Sequence, residues 1–244
     1  MKTTIFITLL VLIPAFAIGQ ETIQITKKSA TGDKETYSVL KSDHSVKQGA
    51  YIKRNSYNDI VAEGFYKEGL EDSIWNEYVW KKLTNKGKYT NGLKTGIWSF
   101  YDYKGVLELK FDFTDNKLIY FKPDELNKEM IYVAEIGSEK KKVKLDSPPL
   151  YLNGSMFISQ IYWNNIKYPV LAQENSIMGK VEITVTIDKT GKVSNYRITK
   201  KIGGGCDEEA LRVVKLLPQN WYPGIYNGEN VSVDYVIPVT YKLE

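Results

Sequence analysis

Val231-Ser232-Val233-Asp234-Tyr235-Val236-Ile237-Pro238-Val239-Thr240-Tyr241-Lys242-Leu243 places an apolar side chain at every odd-numbered position. Successive side chains of a β-strand point to opposite faces, so this period of two gives one dry face and one wet one. Pro238 falls in the wet set. It has no N–H to give a neighbour, and proline within a sheet belongs on a border strand. The last strand is therefore expected at the edge of its sheet, with main-chain groups available to another chain.

The elements upstream can be read from the same kind of spacing. Asn227-Gly228 and Trp221-Tyr222-Pro223-Gly224 read as turns. Ala210, Leu211, Val214 and Leu217 form the apolar stripe of a helix that Pro218 stops, with Asp207 as its cap and Glu208 and Glu209 in the first turn. Val181, Ile183, Val185 and Ile187 alternate with Glu182, Thr184 and Thr186, a half-buried strand. Asp188-Lys189-Thr190-Gly191 turns the chain into a second strand through Tyr196 and Ile198. Before them, Phe157, Ile158, Ile161 and Tyr162 fall at helical spacing with Trp163 beside them, and Tyr168-Pro169 interrupts the pattern ahead of a turn at Val170-Leu171-Ala172. The expected fold is α+β. Its C-terminal part is a two-layer αββαβ module with a three-stranded antiparallel sheet.

Phrases in this order resemble the TonB C-terminal domain: Tyr168-Pro169, Gly179-Lys180-Val181, Ile187-Asp188 with Gly191-Lys192-Val193, and Gly203-Gly204-Gly205-Cys206-Asp207-Glu208-Glu209-Ala210-Leu211-Arg212. Trp221-x-Pro223-Gly224, Asn227-Gly228 and Ile237-Pro238-Val239 complete the series. The resemblance spans roughly residues 150–244. It implies a module that binds a protein or peptide by strand addition, linked to TonB-dependent outer-membrane transport, with a TonB-dependent receptor as partner. The partner-binding edge it implies is Val231, Ser232, Val233, Asp234, Tyr235, Val236, Ile237 and Pro238, with Asp234 and Lys242 biasing which peptide is taken. A homodimer through the same edge, or a cover laid over it by the repeat domain, are the other uses of such a strand. An energy transducer of this family keeps a membrane helix with a histidine and a long proline-rich spacer; residues 3–19 hold no histidine, and the eight prolines are scattered.

Earlier in the chain an internal repeat stands out. Glu63-Gly64-Phe65-Tyr66-Lys67-Glu68-Gly69-Leu70, continuing through Ile74-Trp75 to Tyr78, returns after 23 residues as Lys86-Gly87-Lys88-Tyr89-Thr90-Asn91-Gly92-Leu93, through Ile97-Trp98 to Tyr101. Gly-x-Tyr starts a strand, Asn91-Gly92 is a hairpin turn, and Ile97 to Tyr101 returns. A single hairpin cannot bury its apolar face, so the units should stack into an antiparallel β-meander. The pattern looks like the MORN-type repeats of YwqK-like proteins over residues 49–121. The second unit fits best, and in the first Ser73 stands where Gly96 does.

Met1-Lys2, the apolar run from Ile5 to Ile13 and the small residues Ala17 and Gly19 read as an export signal cleaved before Gln20. The expected domains are a signal peptide over 1–19, the β-repeats over 20–121, a linker over 122–149 and the C-terminal module over 150–244. Within the linker, Pro123-Asp124-Glu125-Leu126 suits a helix start, and Lys140-Lys141-Lys142 before Pro148-Pro149 suits a solvated connector. The expected location is the periplasm or cell envelope, and membrane contact is expected only if the first segment is retained.

Net charge is +4, too small and too dispersed for nucleic acid. One cysteine, Cys206, and one histidine, His44, leave little catalytic repertoire. Asp207, Glu208 and Glu209 beside Cys206 oppose a thiolate. Gly203-Gly204-Gly205 lacks the lysine of a phosphate loop. No catalytic, cofactor or metal site is assigned, and an enzyme is not expected. Two other readings are open: an envelope structural protein whose repeats are the working surface, and a membrane-anchored transducer with an uncleaved first helix.

Overall fold

The computed structural model describes residues 20–122 and 130–243. The export signal expected over 1–19 and the helix start expected at Pro123 lie outside the described residues. Strands β1 (Thr22–Lys28), β2 (Lys34–Leu40), β3 (Lys47–Arg54), β4 (Ile60–Lys67), β5 (Leu70–Val79), β6 (Lys82–Thr90), β7 (Leu93–Tyr101), β8 (Leu107–Asp112) and β9 (Lys117–Phe121) form one antiparallel sheet in chain order. This is the meander that the repeat requires.

The repeated residues are its core. Trp75 sits against Gly64 and Trp98 against Gly87, where a Cβ would overlap the indole. Each indole N–H also has a main-chain acceptor: Trp75 donates to Phe65 O at 3.2 Å and Trp98 to Lys88 O at 3.0 Å. Tyr66 meets Trp75 edge-on at 5.3 Å, and Tyr89 meets Trp98 at 4.9 Å. Such pairs add about 0.5–1.5 kcal/mol each beyond area burial. Glycine recurs because a flat ring takes the space of a side chain, and tyrosine recurs because it fills the ring's edge.

The second sheet has the order β11-β10-β17-β13-β14. Its members are β10 (Tyr132–Ile136), β11 (Glu139–Val143), β13 (Gly179–Ile187), β14 (Val193–Lys200) and β17 (Glu229–Tyr241), and β16 (Gly224–Tyr226) also pairs with β17. Helices α1 (Ser155–Asn165), α2 (Val170–Glu174) and α3 (Cys206–Val214) complete the module. Val181, Ile183, Val185, Ile237 and Val239 form its core with Ala210 and Val214. Arg212 joins the helices, donating to Glu209 at 2.7 Å and to Asn165 O, at the end of α1, at 2.6 Å. The expected αββαβ order is present, with its sheet widened from three strands.

Three local expectations are corrected. The stretch read as a solvated linker holds the β10–β11 hairpin, which joins the C-terminal sheet. Trp221-Tyr222 is not a turn but β15 (Trp221–Tyr222), paired with β12 (Leu150–Tyr151). Asp207 lies inside α3, whose cap is Gly205; its carboxylate reaches back to accept from Ile202 N at 2.8 Å and Gly203 N at 3.1 Å.

The β12–β15 ladder is the seam between the two halves. Leu150, Leu152 and Tyr222 join the core of the repeat sheet, whereas Tyr151 and Trp221 join that of the C-terminal module. Tyr222 meets Phe111 at 5.3 Å, and Glu108 accepts from Ser155 Oγ at 2.9 Å and Ser155 N at 3.2 Å. The repeat sheet thus supplies the carboxylate at the start of α1, where Gly154 has no side chain to do so.

Candidate functional site

Along β17, β13 pairs continuously from Ile187↔Val233 to Gly179↔Tyr241. On the opposite flank β10 pairs with Ser232, Val233 and Asp234. At the start of the strand, β16 pairs with Glu229, Asn230 and Val231. Beyond Asp234 that flank has no strand partner among the described residues. The free border expected across Val231–Pro238 is therefore corrected to its second half. Val231, Ser232, Val233 and Asp234 are taken up by strands of this chain; Tyr235, Val236, Ile237 and Pro238 keep one flank open. Pro238 constrains only its own place in the ladder, so a strand this long can be central at one end and a border at the other.

Proline is tolerated where its missing N–H faces away from a paired neighbour. Pro238 pairs with Glu182 of β13, so its own nitrogen faces the open flank. Residues of the same parity share that direction. Val236 and Thr240 thus turn their N–H groups outward, while Ile237 and Val239 bond to β13 and bury their side chains.

Asp234 is not available to choose a peptide. It accepts from Lys140 Nζ at 2.8 Å and Thr186 Oγ1 at 2.8 Å, and Arg197 lies at 3.1 Å. Burial works against its charge, yet the bonds from Lys140 and Thr186, with Arg197 beside them, hold its carboxyl below the usual range. Lys242 is exposed just past the strand.

The open flank borders a groove of about 310 Å³. Tyr235 to Pro238 form one side, Ile158, Ser159 and Tyr162 of α1 another, and Glu108, Leu109 and Phe121 of the repeat sheet a third. The Tyr162 hydroxyl is buried without a hydrogen-bond partner among the described residues, and burial, with Tyr235 near it, pushes the phenol well up. Nothing in the sequence marks the outer walls, because they come from three separate stretches brought together by the seam. Tyr162 was legible only as part of a helix stripe.

Cys206 is fully buried, and burial, followed by Asp207 and Glu208, pushes its thiol up. His44 is exposed in the turn between β2 and β3. No metal-binding cluster occurs among the described residues, and none of their helices is long and apolar enough to cross a membrane.

A strand edge beside two helices, preceded by Gly203-Gly204-Gly205 and closed by Ile237-Pro238-Val239, has a counterpart among known families. Residues 164–243 match the Gram-negative bacterial TonB protein C-terminal. The match covers about a third of the chain, and what this part is similar to is a protein-interaction module of a non-enzymatic family associated with the cell envelope. No curated protein and no solved structure matches the chain. The TonB-like match includes all of the open edge but begins near the end of α1, so the outer walls of the groove lie outside it.

Proposed function

We propose that this chain is an exported envelope protein whose TonB-like module takes up an extended partner segment along the open flank of β17, from Tyr235 to Tyr241. The observation that carries the reading is the flank of β17 beyond Asp234, which has no strand partner among the described residues while the other flank is paired through to Tyr241. Main-chain bonding along such an edge gives affinity, and side-chain pockets beside it give selectivity. The family match supports a protein partner. A segment of a TonB-dependent outer-membrane receptor is the partner proposed, and a second copy of the chain competes for the same edge. Cleavage before Gln20 accompanies this reading, and intact mass of the cell-derived protein checks it.

Titration of the mature chain with receptor-derived peptides, followed by amide NMR, tests the proposal. Shifts centred on Tyr235 to Tyr241 are expected, with β10 undisturbed. Shifts elsewhere, or none with any peptide, count against it. The second reading, a structural protein working through its repeats, is favoured by the exposure of Phe65, Ile74 and Ile97 on the repeat sheet. Shifts confined to that row would select it.

A further inference from the structure

The groove beside the open edge is built from residues that the family match leaves out, so what it accepts is a property of this chain. Its walls are largely apolar, with Leu109, Phe121 and Ile158 among them. Two polar features interrupt them. Glu108 is the only carboxylate, ammonium or guanidinium group lining it among the described residues. Tyr162 brings a buried hydroxyl with no hydrogen-bond partner among the described residues, which ordinarily costs about 1–3 kcal/mol of desolvation and calls for a ligand atom. A neutral aliphatic side chain would answer the walls but offer no donor to the Tyr162 hydroxyl and no counter-charge to Glu108, whose bonds from Ser155 are to a neutral partner. An acidic one would meet Glu108 with the same sign.

We infer that the groove receives one basic side chain, lysine or arginine, from the segment that adds to β17. Its methylene stem lies along Leu109, Phe121 and Ile158, and its head group donates to Glu108 and to the Tyr162 hydroxyl. Long cationic side chains are suited to this division between stem and head. The inference rests on the strand-addition reading and deepens it: the β-repeats become a selectivity wall for the TonB-like module.

The test uses the full mature chain and a short peptide of alternating threonine and valine, with one position carried in turn by lysine, norleucine or glutamate and moved along the peptide. Binding is followed by calorimetry. At one register the lysine peptide should bind about tenfold more tightly than the norleucine peptide, the value of one charge-assisted hydrogen bond, and the glutamate peptide should bind weakest. Glu108→Gln keeps an acceptor for Ser155 and should bring lysine and norleucine to parity; Tyr162→Phe should narrow the gap. Equal binding of lysine and norleucine at every register overturns the inference while leaving strand addition in place. So does a lysine preference that survives Glu108→Gln. If no peptide binds and no amide of Tyr235 to Tyr241 shifts, the strand-addition reading fails and takes this one with it.

Discussion

Ser73 and Gly96 occupy the same place in successive repeat units and nearly the same backbone conformation, with φ 61° and 60°. A side chain in that left-handed region costs roughly 1–2 kcal/mol. Ser73→Gly should therefore stabilise the chain by about 1 kcal/mol, read as a higher urea midpoint with an unchanged slope. The sequence marked this position as a departure from the pattern, and the structure supplies the reason. Lys94 was not legible at all, because it is buried by the rings of Trp98 and Phe113 and by Asn153 from across the seam. Its ammonium donates to Asn153 at 3.0 Å and lies over the Trp98 ring at 4.4 Å. Burial lowers its pKa from 10.5 to about 8, against the pull of Glu77 and Glu71. From about pH 8 upward the folded chain holds this proton less firmly than the unfolded chain, so stability should rise with pH. Above pH 10 the trend should reverse, because burial holds Tyr66 protonated to about 12 and raises Tyr51 and Tyr89 as well. Thermal melts of the wild type and Lys94→Met between pH 7 and 10 check this: the rise should be present in the first and absent in the second.

The strand that decided the fold also shows how far an element can be read from its own residues. Period two gave the buried face of β17 correctly, since Val233, Ile237, Val239 and Tyr241 are all buried. It could not give the neighbours, because pairing partners are set by distant segments. The cover over its first half comes from β10, with β11 outside it. Glu139, Lys140, Lys141 and Lys142 of β11 are exposed, so an outermost strand has the composition of a solvated loop. Two proline substitutions separate the covered half from the open half. Ser232→Pro removes a main-chain donor that faces β10 and should destabilise the chain by roughly 1–3 kcal/mol. Val236→Pro acts on the open flank and should leave the melting temperature within about a degree or two, a change under ~0.5 kcal/mol, while abolishing peptide binding. Comparable losses of stability in both variants would mean that the open half is occupied within the chain.

At the scale of the whole molecule, the two sheets share a seam in which one short strand serves two cores. Leu150 and Leu152 face the repeat side and Tyr151 the other, the same period of two that orders β17. The two halves should therefore lose structure together. Leu152→Ala, at a buried site, should cost about 2–5 kcal/mol and lower the midpoint reported by amides of β2 as much as that reported by β13. A fall confined to the β2 amides would show two independent domains. Repeat, module and their order along the chain were legible from local spacing. The groove was not, since it exists only after Glu108 of β8 meets Ser155 at the start of α1. Strand addition remains the central claim, and amide hydrogen exchange on the free mature chain tests it most directly. Val236 and Thr240 should exchange rapidly while Ile237 and Val239, bonded to β13, and Ser232 and Asp234, facing β10, are protected. Protection of Val236 and Thr240 equal to that of their neighbours, with no peptide present, would contradict it.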